Sequence, residues 1–405
     1  MTTTRREFLG ECLGLAAGAF AVAGLPHAVF AAAPGNRRFV VVLLRGAMDG
    51  LAAVPPVGDP HYAEKRGAIA LPAAACIALD SHFALNPGLK VLEPYYRRGE
   101  LLLVPASGNG YRTRSHFDGQ DLMECGLAAK TRETDGWLNR ALALIQQQGA
   151  SRSYDKRLGL AVGGAVPLLL RGAVPVASWE PAGFKAADPD FVAALGPLYA
   201  HDPLFGPALQ LGLKTQNFSD TVLGDTAPKG PGGFGPKAFA PLAAAAGKLL
   251  AAEDGPRIAA LEMLGWDTHV NQGTENGRLY ENFSGLADGF DALAQSLGAA
   301  WRNTVVIATT EFGRTVAVNG TNGTDHGTAT VMFVIGGAVK GGRLYGDWPG
   351  LAKLQDDRDL RVAVDSRSVA KGILRDHLGI DAASLGAKVF PDAAGLKPAE
   401  GLLRA

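Results

Sequence analysis

The sequence predicts an α/β fold built on a doubly wound, mostly parallel sheet with helices on both faces. Arg38–Leu44 (RFVVVLL), Thr304–Thr310 (TVVIATT) and Thr328–Ile335 (TATVMFVI) are short, continuous apolar runs rich in β-branched residues. That is the pattern of strands buried on both faces. Helical patterns separate such runs, and strand–helix alternation is how parallel strands are connected. The apolar fraction of 47% supports a packed core of this size.

The chain begins Thr4-Arg5-Arg6-Glu7-Phe8-Leu9, then runs apolar from Leu13 to Leu25. Paired arginines before a weakly hydrophobic segment form a twin-arginine export signal, an address read by a receptor. Gly14, Gly18 and Gly24 dilute the apolar run and Pro26 ends it, so no stable membrane anchor is expected. Val29-Phe30-Ala31 and Ala31-Ala32-Ala33 offer small-residue cleavage sites. The expected organisation is a signal peptide over 1–33 and one large α/β domain over 34–405. The twin-arginine export machinery would deliver it, already folded, to the periplasm or beyond.

Within the domain, Arg38–Leu44 stops at Arg45-Gly46-Ala47-Met48-Asp49-Gly50, and a second strand, Leu101–Val104, stops at Pro105. Arg257–Leu264, Thr304–Thr310 and Thr328–Ile335 follow. Helical patterns cover Phe117–Leu127, Gly136–Gln148, Pro236–Ala252, Glu281–Trp301 and Ser366–Leu378. Residues 158–235 differ: weak strand patterns at Leu158–Val162 and Val174–Ser178 mix with helices and a Gly/Pro-rich stretch, Gly224–Gly235. They read as an inserted cap subdomain with a flexible loop near Lys229–Gly233.

Charge excludes some partners. Lys+Arg and Asp+Glu each number 39, so nothing favours nucleic acid or an anionic membrane. Of the 3 cysteines, Cys12 lies in the signal; Cys76 and Cys125 are either bridged or free, and their spacing does not choose.

Ligands of open parallel sheets bind beyond the carboxyl ends of the strands. Asp49 follows the first strand. Ser115-His116-Phe117-Asp118 opens the helix after the second, Asp267-Thr268-His269 follows the third, and Glu311-Phe312-Gly313-Arg314 the fourth. Asp325-His326 leads into the last. Each has a plain structural reading: a turn aspartate, a helix cap at Ser115, a Glu311–Arg314 ion pair, an exposed loop. Five such turns at one sheet edge point instead to a shared site. Mixed Asp, Glu and His donors suit zinc, manganese or iron. Such an ion polarises an ester oxygen and activates a hydroxyl or water. Ser115, at a helix N-terminus, is placed as nucleophile or substrate anchor, with Arg45, Arg114 and Arg314 as candidate anion clamps.

Other templates are missing. There is no Gly-x-Ser-x-Gly elbow, phosphate loop, dinucleotide fingerprint or paired Cys-x-x-Cys. An esterase triad of Ser115, His326 and Asp325 is disfavoured, because adjacent Asp and His do not readily arrange as base and orienter. His61, His82, His201 and His377 read as structural or surface residues.

Arg45-Gly-Ala-Met-Asp49-Gly, Arg114-Ser115-His116-Phe117-Asp118, Gly265-Trp-Asp267-Thr-His269 and Thr310-Glu311-Phe312-Gly313-Arg314-Thr315, behind a twin-arginine signal, resemble the exported bacterial family called domain of unknown function 1501. That family is grouped with the alkaline phosphatase and sulfatase superfamily. The resemblance implies an alkaline phosphatase-like sheet with one or two divalent ions, zinc or manganese, at its carboxyl edge. It implies Asp49, Asp267, His269, Glu311 and His326 as metal ligands and Ser115 as nucleophile, with Arg114 and Arg314 steadying the anion. Glu311-Phe312 stands where the superfamily has Asp-His, which leaves one imidazole short; Asp325 and His116 are the available substitutes. Around Ser115 the formylglycine sulfatase pattern is not met. The expected function is exported, metal-dependent hydrolysis of a small phosphate or sulfate ester; the alternative is a non-catalytic periplasmic binding or assembly protein that retains the fold.

Overall fold

The computed structural model describes residues 36–129, 135–148, 159–181, 188–203, 205–228 and 235–404. The expected signal peptide and the loop near Lys229–Gly233 lie outside the described residues.

Strands β1 (Arg38–Arg45), β4 (Leu101–Gly108), β5 (Gly159–Val162), β6 (Ala177–Trp179), β7 (Ile258–Leu264), β8 (Thr304–Thr309), β9 (Thr330–Ile335) and β10 (Arg343–Leu344) form one sheet, with β11 (Val364–Asp365) paired to β4. A separate hairpin joins β2 (Ile77–Ala78) and β3 (Ala84–Leu85). The main sheet runs in the order β10-β4-β9-β8-β1-β7-β5-β6. Strand β1 sits between β7 and β8 and is parallel to both. Among the described strands of this sheet, only β9 runs the other way, antiparallel to β4 and β8. The fold is therefore the expected mostly parallel α/β sheet.

Alternate residues of each strand feed opposite faces. Val40, Val42 and Leu44 of β1 pack into one core with Phe239, Leu249, Phe283 and Phe290 of the helices Pro236–Ala251 and Arg278–Leu297. Phe39, Val41 and Leu43 pack into the other with Leu138, Leu142, Ile373 and Leu374 of Trp137–Gln148 and Ser366–Leu378. Both faces are covered, which is why the strands read as unbroken apolar runs.

Two expectations are corrected. Strand β4 does not stop at Pro105: it continues to Gly108 through an irregularity between Val104 and Ser107. Pro105 lacks an N–H, and a bulge is a place where a strand tolerates that loss. The stretch 158–235 is not wholly an insertion. Gly159–Val162 pairs parallel with β7, and Ala177–Trp179 extends that edge, so both belong to the main sheet. The helices Pro189–Tyr199 and Phe205–Leu223 follow. Cys76 and Cys125 are free thiols. Among the described residues no helix is long and apolar enough to cross a membrane.

His377, buried on the helix Ser366–Leu378, donates from Nε2 to the Arg38 carbonyl at 2.9 Å. Burial lowers its pKa from the usual 6.5 to about 4. The folded state thus binds this proton less readily than the unfolded state. The associated stability is complete above pH 6.5 and is lost as pH falls towards about 4. The difference amounts to roughly 3 kcal/mol. Denaturant titrations of wild type and His377→Gln from pH 7 to 4 should show a smaller acid loss in the variant; parallel curves would refute this role.

Candidate metal centre

The site is built on loops at the carboxyl edge of the sheet. The turns after β1, β7 and β8 bring Gly46 and Asp49, Asp267 and His269, and Glu311 and Arg314. Ser115 and His116 arrive on the loop after β4, at the start of the helix His116–Cys125. His326 precedes β9, and because β9 is antiparallel its beginning lies at the same edge. Close approach of these loops is needed: a Cβ on Gly46, whose φ is +117°, would meet the Asp267 nitrogen at 2.6 Å.

Three imidazoles converge on one carboxylate oxygen. Asp267 Oδ1 lies 3.1 Å from His269 Nε2, 3.4 Å from His326 Nε2 and 3.5 Å from His116 Nε2. The Nε2 atoms of His269 and His326 are 3.0 Å apart. His116, Asp267 and His326 form a compact group able to hold a metal. Adjacent ligands of a tetrahedral zinc ion with nitrogen ligands lie roughly 3.3 Å apart, so the spacing suits one such ion.

The other ring nitrogen of each histidine is committed. His116 Nδ1 donates to Glu311 Oε1 at 2.8 Å, His269 Nδ1 to Asp325 Oδ1 at 3.1 Å, and His326 Nδ1 to the Arg114 carbonyl at 2.8 Å. In the neutral rings this leaves the three Nε2 lone pairs pointing inward. Two lone pairs at 3.0 Å repel unless a proton or cation lies between them. His116 Nε2 is buried and has no hydrogen-bond partner. The donor set and this orphaned nitrogen fit a metal.

The surroundings shape the charges. The hydrogen bond to Glu311 raises the His116 pKa, against the effect of burial. Burial lowers that of His326, helped by the charges of His116 and Arg314. Burial alone would raise Asp267, but the Arg314 hydrogen bond and charge, with His269 and His116, hold it below the ordinary value. Burial likewise pushes Glu311 up, yet hydrogen bonds from His116, Thr310 and Gln120 outweigh it and leave the carboxylate low. For Asp325 the Asn319 hydrogen bond is the main lowering influence.

The expected residues separate into those that meet in the cluster and those that stand behind or beside it. Asp267, His269 and His326 meet in the cluster. Asp49 does not join them: its Oδ2 takes Arg66 at 2.6 Å and Gln272 at 3.0 Å, and its Oδ1 caps Ala52 N at 3.2 Å. Both partners of this ion pair are buried, so its oxygens are already occupied. Glu311 backs His116, and it also accepts from Gly46 N at 2.9 Å and Thr310 Oγ1 at 2.7 Å.

Arg114 is bound to Asp359, and Arg314 is buried against Asp267 and the carbonyls of Gly46, Ala47, Trp266 and Thr324. The Arg314 guanidinium is fully buried, whereas Arg114 is partly exposed. Ser115 makes no side-chain cap hydrogen bond; its N–H donates to Tyr111 Oη at 3.2 Å. His116 supplies the third imidazole. Phe312, in the position that lacks one, instead stacks on the His116 ring at 5.1 Å. The sequence offered His116 only as a substitute, because its distance from Asp267 along the chain hides their proximity.

Asp49→Ala should cost about 3–5 kcal/mol of stability by stranding the buried Arg66 charge. Any divalent ion held by the cluster should stay bound in the folded fraction, as read by denaturation alongside metal titration. Loss of metal without loss of stability would make Asp49 a ligand after all.

None of the curated proteins searched matches the chain. Among solved structures, the phosphonate monoester hydrolase of Agrobacterium radiobacter is similar at 13% identity and TM-score 0.39, over 90% of this chain and 79% of that one. A 2-O GAG sulfatase is similar at 10% identity and TM-score 0.38, over 90% and 76%. The zinc complex of the C-terminal periplasmic domain of EcEptC from Escherichia coli is similar at 10% identity and TM-score 0.33, over 77% of each chain. Residues 225–389, which carry Asp267, His269, Glu311, Arg314 and His326, match the family model described as "Protein of unknown function (DUF1501)", the family that the four motifs resemble.

Proposed function

We propose that this protein is an exported hydrolase of a small phosphate or sulfate ester that depends on one divalent ion, zinc or manganese. The observation carrying the reading is the 3.0 Å approach of His269 Nε2 and His326 Nε2 beside Asp267, with every Nδ1 already committed. His116, His326 and Asp267 would hold the ion, with His269 beside them as a further candidate donor. A single ion is favoured because Asp49 is taken by Arg66 and Glu311 by His116. When bound, the metal supplies Lewis-acid polarisation of an ester oxygen. Ser115, next to His116 and at the head of a helix, would act as nucleophile or anchor, since helix N–H groups favour an anion. Arg314 orients Asp267 rather than touching substrate. Export by the twin-arginine machinery and a periplasmic location belong to this proposal, on the strength of the N-terminal motif.

The second reading is a non-catalytic protein with a structural metal. It is favoured by one observation: three imidazole nitrogens already crowd within 3.5 Å of the single oxygen Asp267 Oδ1, and Arg314 closes its far side, which resembles the enclosed setting of a structural zinc.

Elemental analysis and a substrate panel distinguish these. One ion per chain is expected, lost in His326→Ala, with hydrolysis of aryl phosphate, phosphodiester or sulfate esters falling at least about 100-fold in Ser115→Ala. Stoichiometric metal with no turnover of any ester would favour the structural reading. Folded protein without metal would overturn both.

A further inference from the structure

We propose that Gln120 is a positioning residue for the metal centre, linking Arg45 to the carboxylate that sets the His116 tautomer. The inference rests on the reading of His116 as a metal ligand. Gln120 lies one helical turn after His116 on the helix His116–Cys125. Its Nε2 donates to Glu311 Oε1 at 3.1 Å, and its Oε1 accepts from Arg45 Nη1 at 3.0 Å. Only this amide orientation serves both neighbours, since a carboxylate accepts and a guanidinium donates. Arg45 is itself held by Glu124 at 2.8 Å and by Glu262.

Glu311 Oε1 is the acceptor for His116 Nδ1, and the Glu311 side chain is fully buried. Gln120 and Gly46 N fix which way that oxygen faces. The proton stays on His116 Nδ1, and the Nε2 lone pair stays directed at Asp267 and the other imidazoles. Partners behind a metal-ligating histidine hold the ring and its tautomer, and removing one lowers metal affinity by about 10–100-fold. Gln120 acts one bond further back, through Glu311, so the lower end of that range is expected.

The test uses Gln120→Met, which keeps the side-chain length but removes both contacts, and Gln120→Glu, which can still pair with Arg45 but has no N–H for Glu311. Two quantities are read: the zinc dissociation constant, and the tautomer of His116 from its imidazole nitrogen shifts in zinc-free protein. Wild type is expected to hold the proton on Nδ1. Both variants should mix the tautomers and weaken zinc binding about 10-fold, with the melting temperature near that of wild type. Gln120→Glu carries the test should Gln120→Met fail to fold. Wild-type tautomer and wild-type zinc affinity in the folded variants would overturn the proposal. If wild type binds no zinc but the variants still mix the tautomers, the metal reading falls while the positioning role stands.

Discussion

The buried guanidinium of Arg314 is the constraint on which the carboxyl edge depends. It donates to Gly46 and Ala47 after β1, to Trp266 and Asp267 after β7, and to Thr324 ahead of β9. Loops that leave three different strands are thereby tied to one planar cation. Their carbonyls would otherwise be buried polar groups in need of partners. With the guanidinium in place, the loops approach closely enough for Asp267 to meet the three imidazoles.

A second buried cation does similar work beside it. Arg66 binds Asp49 and also the carbonyls of Thr315 and Val316, so it joins the turn after β1 to the segment after β8. Gln272 adds a further contact to Asp49. Asp49 therefore contributes to the site through architecture. Around the cluster, charge follows the same arrangement: Glu311 and Asp325 stand behind imidazoles, and Arg314 stands behind Asp267. Each inner donor has a fixed partner that determines which of its atoms faces inward.

Direction within the sheet matters as much as chemistry. In a wholly parallel sheet the residues just before a strand lie at the opposite edge from the residues just after one. His326 reaches the site because β9 is reversed, and the bridge between Arg314 and His326 joins the two segments there. The same reversal makes the Glu311–Arg314 turn and the Asp325–His326 loop neighbours, although each is separately attached to the core.

The apolar runs by themselves determined the buried strands, since their side chains must leave water on both faces, and the helical patterns between them determined a mostly parallel sheet. Ser366–Leu378 was legible to the residue, and the polar turns at strand ends marked the edge where the site forms. Tertiary structure decided which of those polar residues face one another. Asp49 and Asp267 look alike as aspartates following strands, and each meets a buried arginine, yet the remaining contacts of Asp49 are Gln272 and a helix N–H while Asp267 faces three imidazoles. His116, next to Ser115, has a ligand's geometry only because the helix it begins packs over Phe312 and Glu311. The strands at 159–162 and 177–179 were equally hidden as sheet members, because their short patterns become strands by pairing at the β7 edge. Local pattern reports burial; the partner of a buried polar atom is set by residues far away in the chain.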